Sequence, residues 1–175
     1  MAAGRHTLVF AAMLLLAAAT AVPAAAEWSN CATGSPVFSV SDVTLVPSPV
    51  KPGDTANFTI MAKSAKAVGT GQVQMIVKYA GVPIWTQLDD LCDKAACPIS
   101  AGPTEVHYSQ PFPAITPPGY YSVTLDGHAG TEQLFCVRVD FQVVIPSAAQ
   151  VARAWEGALG TTTVQQVLTT HRKQL

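Results

Sequence analysis

The chain has 175 residues, is 49% hydrophobic and only 12% charged, and carries a formal net charge of −1. A balance this close to neutral offers no basic field for nucleic acid or for an anionic membrane surface. Its even set of cysteines, Cys31, Cys92, Cys97 and Cys136, points in a small exported chain to disulfides rather than to metal or thiol chemistry.

Residues 1–26 read as a signal peptide. Arg5 and His6 open it, Thr7 to Ala21 is an almost unbroken apolar run, and Ala24-Ala25-Ala26 offers small residues for cleavage before Glu27. A membrane span needs roughly 20 apolar residues, and this run is shorter. Removing it leaves 9 basic against the 11 acidic residues, since Arg5 is its one base and it holds no acid. The remainder suits one domain with a real core, and a soluble one.

After Trp28 the sequence breaks into short runs separated by Pro, Gly and Asp turns. Val37 to Val46 is the first strand candidate, closed by Pro47-Ser-Pro49 and Lys51-Pro-Gly-Asp54. Ala56, Phe58, Ile60 and Ala62 then alternate with Asn57, Thr59 and Met61. Val73, Met75, Val77 and Tyr79 follow the same rule, and Ala80-Gly81 turns the chain into Val82-Pro-Ile84-Trp85. Val106 and Tyr108, then Tyr121, Val123 and Leu125, then Phe135, Val137, Val139, Phe141 and Val143 complete the set. Period-2 alternation means one buried and one wet face. Runs this short and closely spaced predict an all-β fold, an immunoglobulin-like antiparallel β-sandwich of two sheets spanning residues 27–146.

Residues 147–175 differ. Ala148, Val151, Ala152, Trp155 and Leu159 fall at helical spacing before Gly160, a Thr run and a basic end. The segment reads as a C-terminal tail, weakly helical or disordered.

The inward positions are rich in aromatics: Phe58, Tyr79, Trp85, Phe112, Tyr121, Phe135 and Phe141. By pattern alone this is ordinary core. Four motifs in fixed order add a second meaning: Gly81-Val-Pro-Ile84; Cys92…Cys97-Pro-Ile-Ser-Ala-Gly102; Phe112-Pro113…Thr116-Pro-Pro-Gly119-Tyr-Tyr-Ser122; and Leu134-Phe-Cys-Val-Arg-Val-Asp-Phe141. Together they resemble the ML (lipid-recognition) domain family, Niemann–Pick type C2-like, over about Trp28 to Ile145, and are most similar to its plant members.

The resemblance implies sheets splayed around an apolar cavity that holds a single sterol or phospholipid. It also implies the pairings Cys31–Cys136 and Cys92–Cys97, where four cysteines by themselves allow three connectivities. One lip of the mouth would be Phe112 to Gly119, and the other Val82 to Trp85. Combined with the alternation, this gives an expected cavity lined by Phe58, Val77, Phe112, Tyr121, Val123, Val137 and Phe141, with Trp85 and Ile115 at its mouth. For the proline stretch, the plain alternative is a turn between two strands.

No nucleophile stands with a base at recognisable spacing, so no enzyme, cofactor or metal site is expected. His107 and His128 read as surface histidines. Asp89, Asp90 and Asp93 surround Cys92 without the spacing of a cation loop and read as a solvated acidic rim. Asn57-Phe-Thr59 is a glycosylation sequon on a polar strand face. Two functions fit: a secreted lipid-binding or transfer protein making transient membrane contact, or a secreted module that recognises a receptor or partner protein. Either would work in the secretory pathway, outside the cell or in a vacuolar or endolysosomal lumen.

Overall fold

A computed structural model describes residues 25–148 and 151–152. Most of the expected signal peptide and of the C-terminal tail lies outside these residues. Eight strands form among them: β1 (Glu27–Asn30), β2 (Phe38–Val46), β3 (Thr55–Ser64), β4 (Gln72–Tyr79), β5 (Val82–Asp90), β6 (Gly102–Pro111), β7 (Gly119–Ala129) and β8 (Glu132–Val143). A 3-10 turn, Leu91–Asp93, follows β5.

All strand pairs are antiparallel. One sheet runs β1-β8-β7-β4-β5 and the other β2-β3-β6. The inward side chains of β3, β4, β7 and β8 meet between the sheets, where Phe58, Ile60, Met75, Leu125 and Val137 are fully buried. This is the expected two-sheet sandwich. Strand β1 was not anticipated, because its four largely exposed residues carry no alternation; its pairing with β8 alone creates it.

Alternation also fails over Leu134 to Val137, where four successive residues are buried. Here Cys136 points to the outer side and bonds Cys31, which covers it. The second disulfide joins Cys92 to Cys97, and no described cysteine is free. Both sit at the end of the sandwich that carries the β7–β8 turn. That end is packed closely: Phe38 stacks on Phe135 with centroids 5.9 Å apart. Gly127 is required beside that ring, since a Cβ there would lie 2.4 Å from Phe135.

The other end gathers the β2–β3 connection, the β4–β5 turn and the β6–β7 segment. It has no disulfide among the described residues. Beyond β8, the Val151 N–H donates to the Ser147 carbonyl at 3.0 Å, one helix-type bond.

The Cys31–Cys136 bond closes a separation of 105 residues, so most of its effect falls on the unfolded chain. Replacing both cysteines by Ala should lower unfolding free energy by about 2–5 kcal/mol, read as a reduced urea midpoint. A loss below ~1 kcal/mol would show that packing at this end suffices without the bond.

Candidate functional site: an apolar cleft at the open end

At the disulfide-free end, a cleft of about 450 Å³ opens between the sheets. Val77 of β4 and Tyr121 of β7 form its floor on the five-stranded sheet. Ile84 and Trp85 of β5 form one lip. Gln110 to Pro113 and Ile115 to Pro117, at the end of β6 and in the segment after it, form the other. None of the lining residues carries a formal charge. Such a site can take up an apolar body by removing it from water.

The β5 lip comes from a register shift. Val77 opposes Trp85, yet the next residue, Lys78, opposes Pro83, leaving Ile84 as the extra residue of a bulge. A bulge re-aims side chains at a sheet edge. Ile84 and Trp85 therefore both border the cleft although they are neighbours in sequence. Trp85 is 54% exposed, because β5 is the edge of its sheet and no strand continues beyond it.

The opposite lip is held by two phenols. Tyr121 donates to the Pro117 carbonyl at 2.9 Å and Tyr79 to the Pro118 carbonyl at 3.3 Å. Prolines have no N–H to enter a ladder, so side chains must anchor this backbone. The rings of Tyr79 and Tyr121 lie 4.9 Å apart, and Phe112 and Phe141 pack against Tyr121 at 5.6 and 6.1 Å. Burial raises the Tyr121 phenol above its ordinary pKa, with Tyr79 adding to the effect. It stays protonated and keeps donating.

Of the nine expected cavity residues, the fold brings Val77, Trp85, Phe112, Ile115 and Tyr121 together at the cleft, with Ile115 92% exposed on its rim. Phe58, Val123, Val137 and Phe141 lie behind it as buried core. Phe141 joins the two groups, with its ring 5.7 Å from Phe112 and 6.1 Å from Phe58.

The remaining candidates lie elsewhere. Asn57 is on the outer face of the three-stranded sheet, where its Oδ1 accepts from Ser109 Oγ at 2.8 Å and its Nδ2 donates to the Thr55 carbonyl at 3.1 Å. His107 and His128 sit on exposed faces beside Glu105 and Asp126. Of the acidic cluster, Asp90 and Asp93 are exposed and Asp89 is not. Asp90 caps the 3-10 turn through the Cys92 N–H. Asp89 is half-buried, accepts from the Tyr108 hydroxyl and faces Lys94 at 3.6 Å. Continuing the alternation from Trp85 through Gln87 to Asp89 would have pointed it inward.

Gly119 ends the proline lip at φ 147°, and a Cβ there would sit 2.8 Å from the Tyr79 ring. Gly119→Ala should therefore cost about 1–3 kcal/mol from backbone strain and displace Tyr79 from Pro118. Near-UV circular dichroism of the tyrosines, together with thermal melting, checks this. An unchanged spectrum at wild-type stability would show that the lip does not depend on the glycine.

Comparison with known proteins agrees with this geometry. A family model described as ML domain matches residues 25–143. A phosphatidylglycerol/phosphatidylinositol transfer protein of Mycosarcoma maydis is 30% identical over 127 residues, covering 66% of this chain and 65% of its own length. The match thus spans just under two thirds of that relative. A candidate phosphatidylglycerol/phosphatidylinositol transfer protein of Dictyostelium discoideum is 32% identical over 124 residues, covering 66% of this chain and 85% of its own. Among solved structures, a Niemann–Pick type C2 protein from the Japanese carpenter ant shares the fold, with a TM-score of 0.56, 14% identity, and coverage of 67% of this chain and 99% of that one. With a two-sheet sandwich, a neutral cleft at its open end and a family match over most of its length, this chain belongs to the ML domain family.

Proposed function

We propose that the protein is a lipid carrier that holds the apolar part of one phospholipid or sterol at its open end and moves it between membranes, without catalysis. The observation that carries this reading is the uncharged apolar cleft between the sheets, within the roughly 300–1,000 Å³ range of small-molecule sites. The relatives named for phosphatidylglycerol and phosphatidylinositol transfer support phospholipids as the first ligands to test.

The energetics suit carriage. Each buried methylene contributes about 0.8 kcal/mol, so an acyl chain of roughly 16 carbons gains on the order of 12 kcal/mol relative to water. A bilayer offers nearly the same gain. Movement between bilayer and protein is then close to neutral, which favours exchange over storage. Val82, Ile84, Trp85, Ile115 and Tyr120, all exposed at this end, would make the transient membrane contact. Phe58, Val123, Val137 and Phe141 would meet the deeper part of the ligand once the core opens.

The same reading sets the protein in the secretory pathway, outside the cell or in a vacuolar or endolysosomal lumen. Its two disulfides support that setting. Residues 1–26 would be removed, leaving the lipid-binding domain over residues 27–146 and the tail over 147–175, with a glycan on Asn57. One observation favours the second reading, a receptor-binding module: Phe58, Val123, Val137 and Phe141 are buried side chains of the core rather than lining of the cleft.

Transfer of pyrene-labelled phosphatidylglycerol between vesicles separates the two. A carrier accelerates transfer, and Val77→Phe, which fills the cleft floor, should reduce uptake about tenfold while unfolding stays cooperative. Ile115→Asp should slow transfer more than it weakens equilibrium binding, because it acts on passage through the mouth. No transfer of phospholipid or sterol by the wild type would leave the receptor module as the better reading.

A further inference from the structure

A ligand with long acyl chains needs more room than the cleft provides. Phe141 packs against Phe112 and Tyr121 of the cleft and against Phe58 beyond them, and Phe58, Val123 and Val137 are buried, so deeper entry requires the sheets to part. The two long sides of the sandwich are unequally prepared for this.

Along the β2–β8 side the backbone stitches the sheets. The Val37 N–H donates to the Gln133 carbonyl at 3.2 Å near one end, and the Val144 N–H donates to the Val50 carbonyl at 2.9 Å near the other. Val50 also bridges Val143. Along the opposite side, β5 and β6 are each the edge of a different sheet and share no ladder.

Backbone bonds on this side lie beyond the end of β5, at Lys94–His107 and Val68–Ile99; between the two strands themselves the link is a group of side chains. The Tyr108 hydroxyl on β6 donates to the Asp89 carboxylate on β5. Lys94 Nζ lies 3.6 Å from Asp89 Oδ1 and 4.4 Å above the Tyr108 ring. Lys94 sits in the turn between the two strands: its N–H donates to the Leu91 carbonyl at 2.9 Å at the end of β5, and its carbonyl accepts from the His107 N–H of β6 at 2.7 Å. Asp89 belongs to the β5 half, where Gln87 Nε2 donates to it at 2.8 Å. The side chains of Asp89 and Lys94 are only 16% and 18% exposed, so water competes weakly for either. Toward the mouth the inward row continues through Gln87 to Trp85, whose Nε1 donates to Gln87 Oε1 at 3.4 Å.

We propose that Asp89, Lys94 and Tyr108 form a latch that holds the β5 edge against β6, and that its release lengthens the cleft down the β5–β6 seam to admit an acyl chain. The sheets then turn about the β2–β8 side, which keeps its backbone bonds. Asp89 is a positioning residue in this scheme and touches no ligand in the closed form. Its role rests on the carrier reading above, but its mechanical part can be tested without any lipid.

Two variants of the full chain, Asp89→Asn and Lys94→Met, test the latch. Amide hydrogen exchange compares β5 with β7 and β8 in the absence of lipid, and vesicle transfer of pyrene-labelled phosphatidylglycerol is measured beside it. Both variants should accelerate exchange in β5 by roughly tenfold, the scale of one hydrogen bond to a charged group, with β7 and β8 unchanged. Transfer should speed up by a similar factor while the amount of lipid bound at equilibrium stays within about twofold, since open and closed forms are both sampled. Unchanged exchange in β5 overturns the latch. So does acceleration that spreads equally to β7 and β8, which marks a general loss of stability. Selective release of β5 in a protein that transfers no lipid supports the latch and overturns the carrier reading.

Discussion

In a two-sheet sandwich the backbone spends its hydrogen bonds within each sheet, so cohesion between sheets has to come from somewhere else. In this protein it is divided unevenly. Side-chain packing around Phe38 and Phe135 consolidates one end, and the disulfides fix the segments that enter and leave it. The opposite end depends on aromatic rings and on phenol-to-carbonyl bonds to a proline segment. Apart from the backbone bond of Val144 to Val50 on the β2–β8 side, the cleft is bordered by side-chain contacts, and such contacts can be exchanged for contacts with a ligand.

That division reconciles rigidity with access. Three prolines border the cleft: Pro111 at the end of β6, and Pro113 and Pro117 in the segment after it, where they restrict the backbone without occupying a ladder. Tyr79 and Tyr121 then fix where this restricted segment sits. The lip is thus defined before any ligand arrives, which lowers the ordering cost of binding. The floor is less permanent. Tyr121 stacks on Phe141, whose other neighbours are Phe112 and Phe58, so a shift of one ring is passed directly into the core.

Much of the sandwich was legible because burial on one face imposes a period of two, and β3, β4, β7 and β8 obey it. The four ordered motifs supplied the family. What escaped has physical causes. β1 exists through its partner rather than through its own residues. Trp85 follows the inward alternation yet stays half-exposed, since an edge strand without an opposing neighbour cannot bury what it turns inward. Ile84 reaches the cleft only because of a register shift, and register is set by pairing that one strand does not encode. Asp89 looked solvated beside Asp90 and Asp93. Its partners Lys94 and Tyr108 come together only when the chain turns at Leu91.

The neutrality of the rim reaches beyond the cleft itself. Its polar groups are amides, hydroxyls and carbonyls, and the one phenol in its floor is pushed further from ionisation by burial. No group lining the opening changes charge between an acidic organelle and the neutral exterior. The mouth therefore presents the same face at mildly acidic and at neutral pH. On the proposed carrier reading, loading and release would need no proton-driven signal at the entrance, and any choice between destinations would lie in the membranes or in a partner.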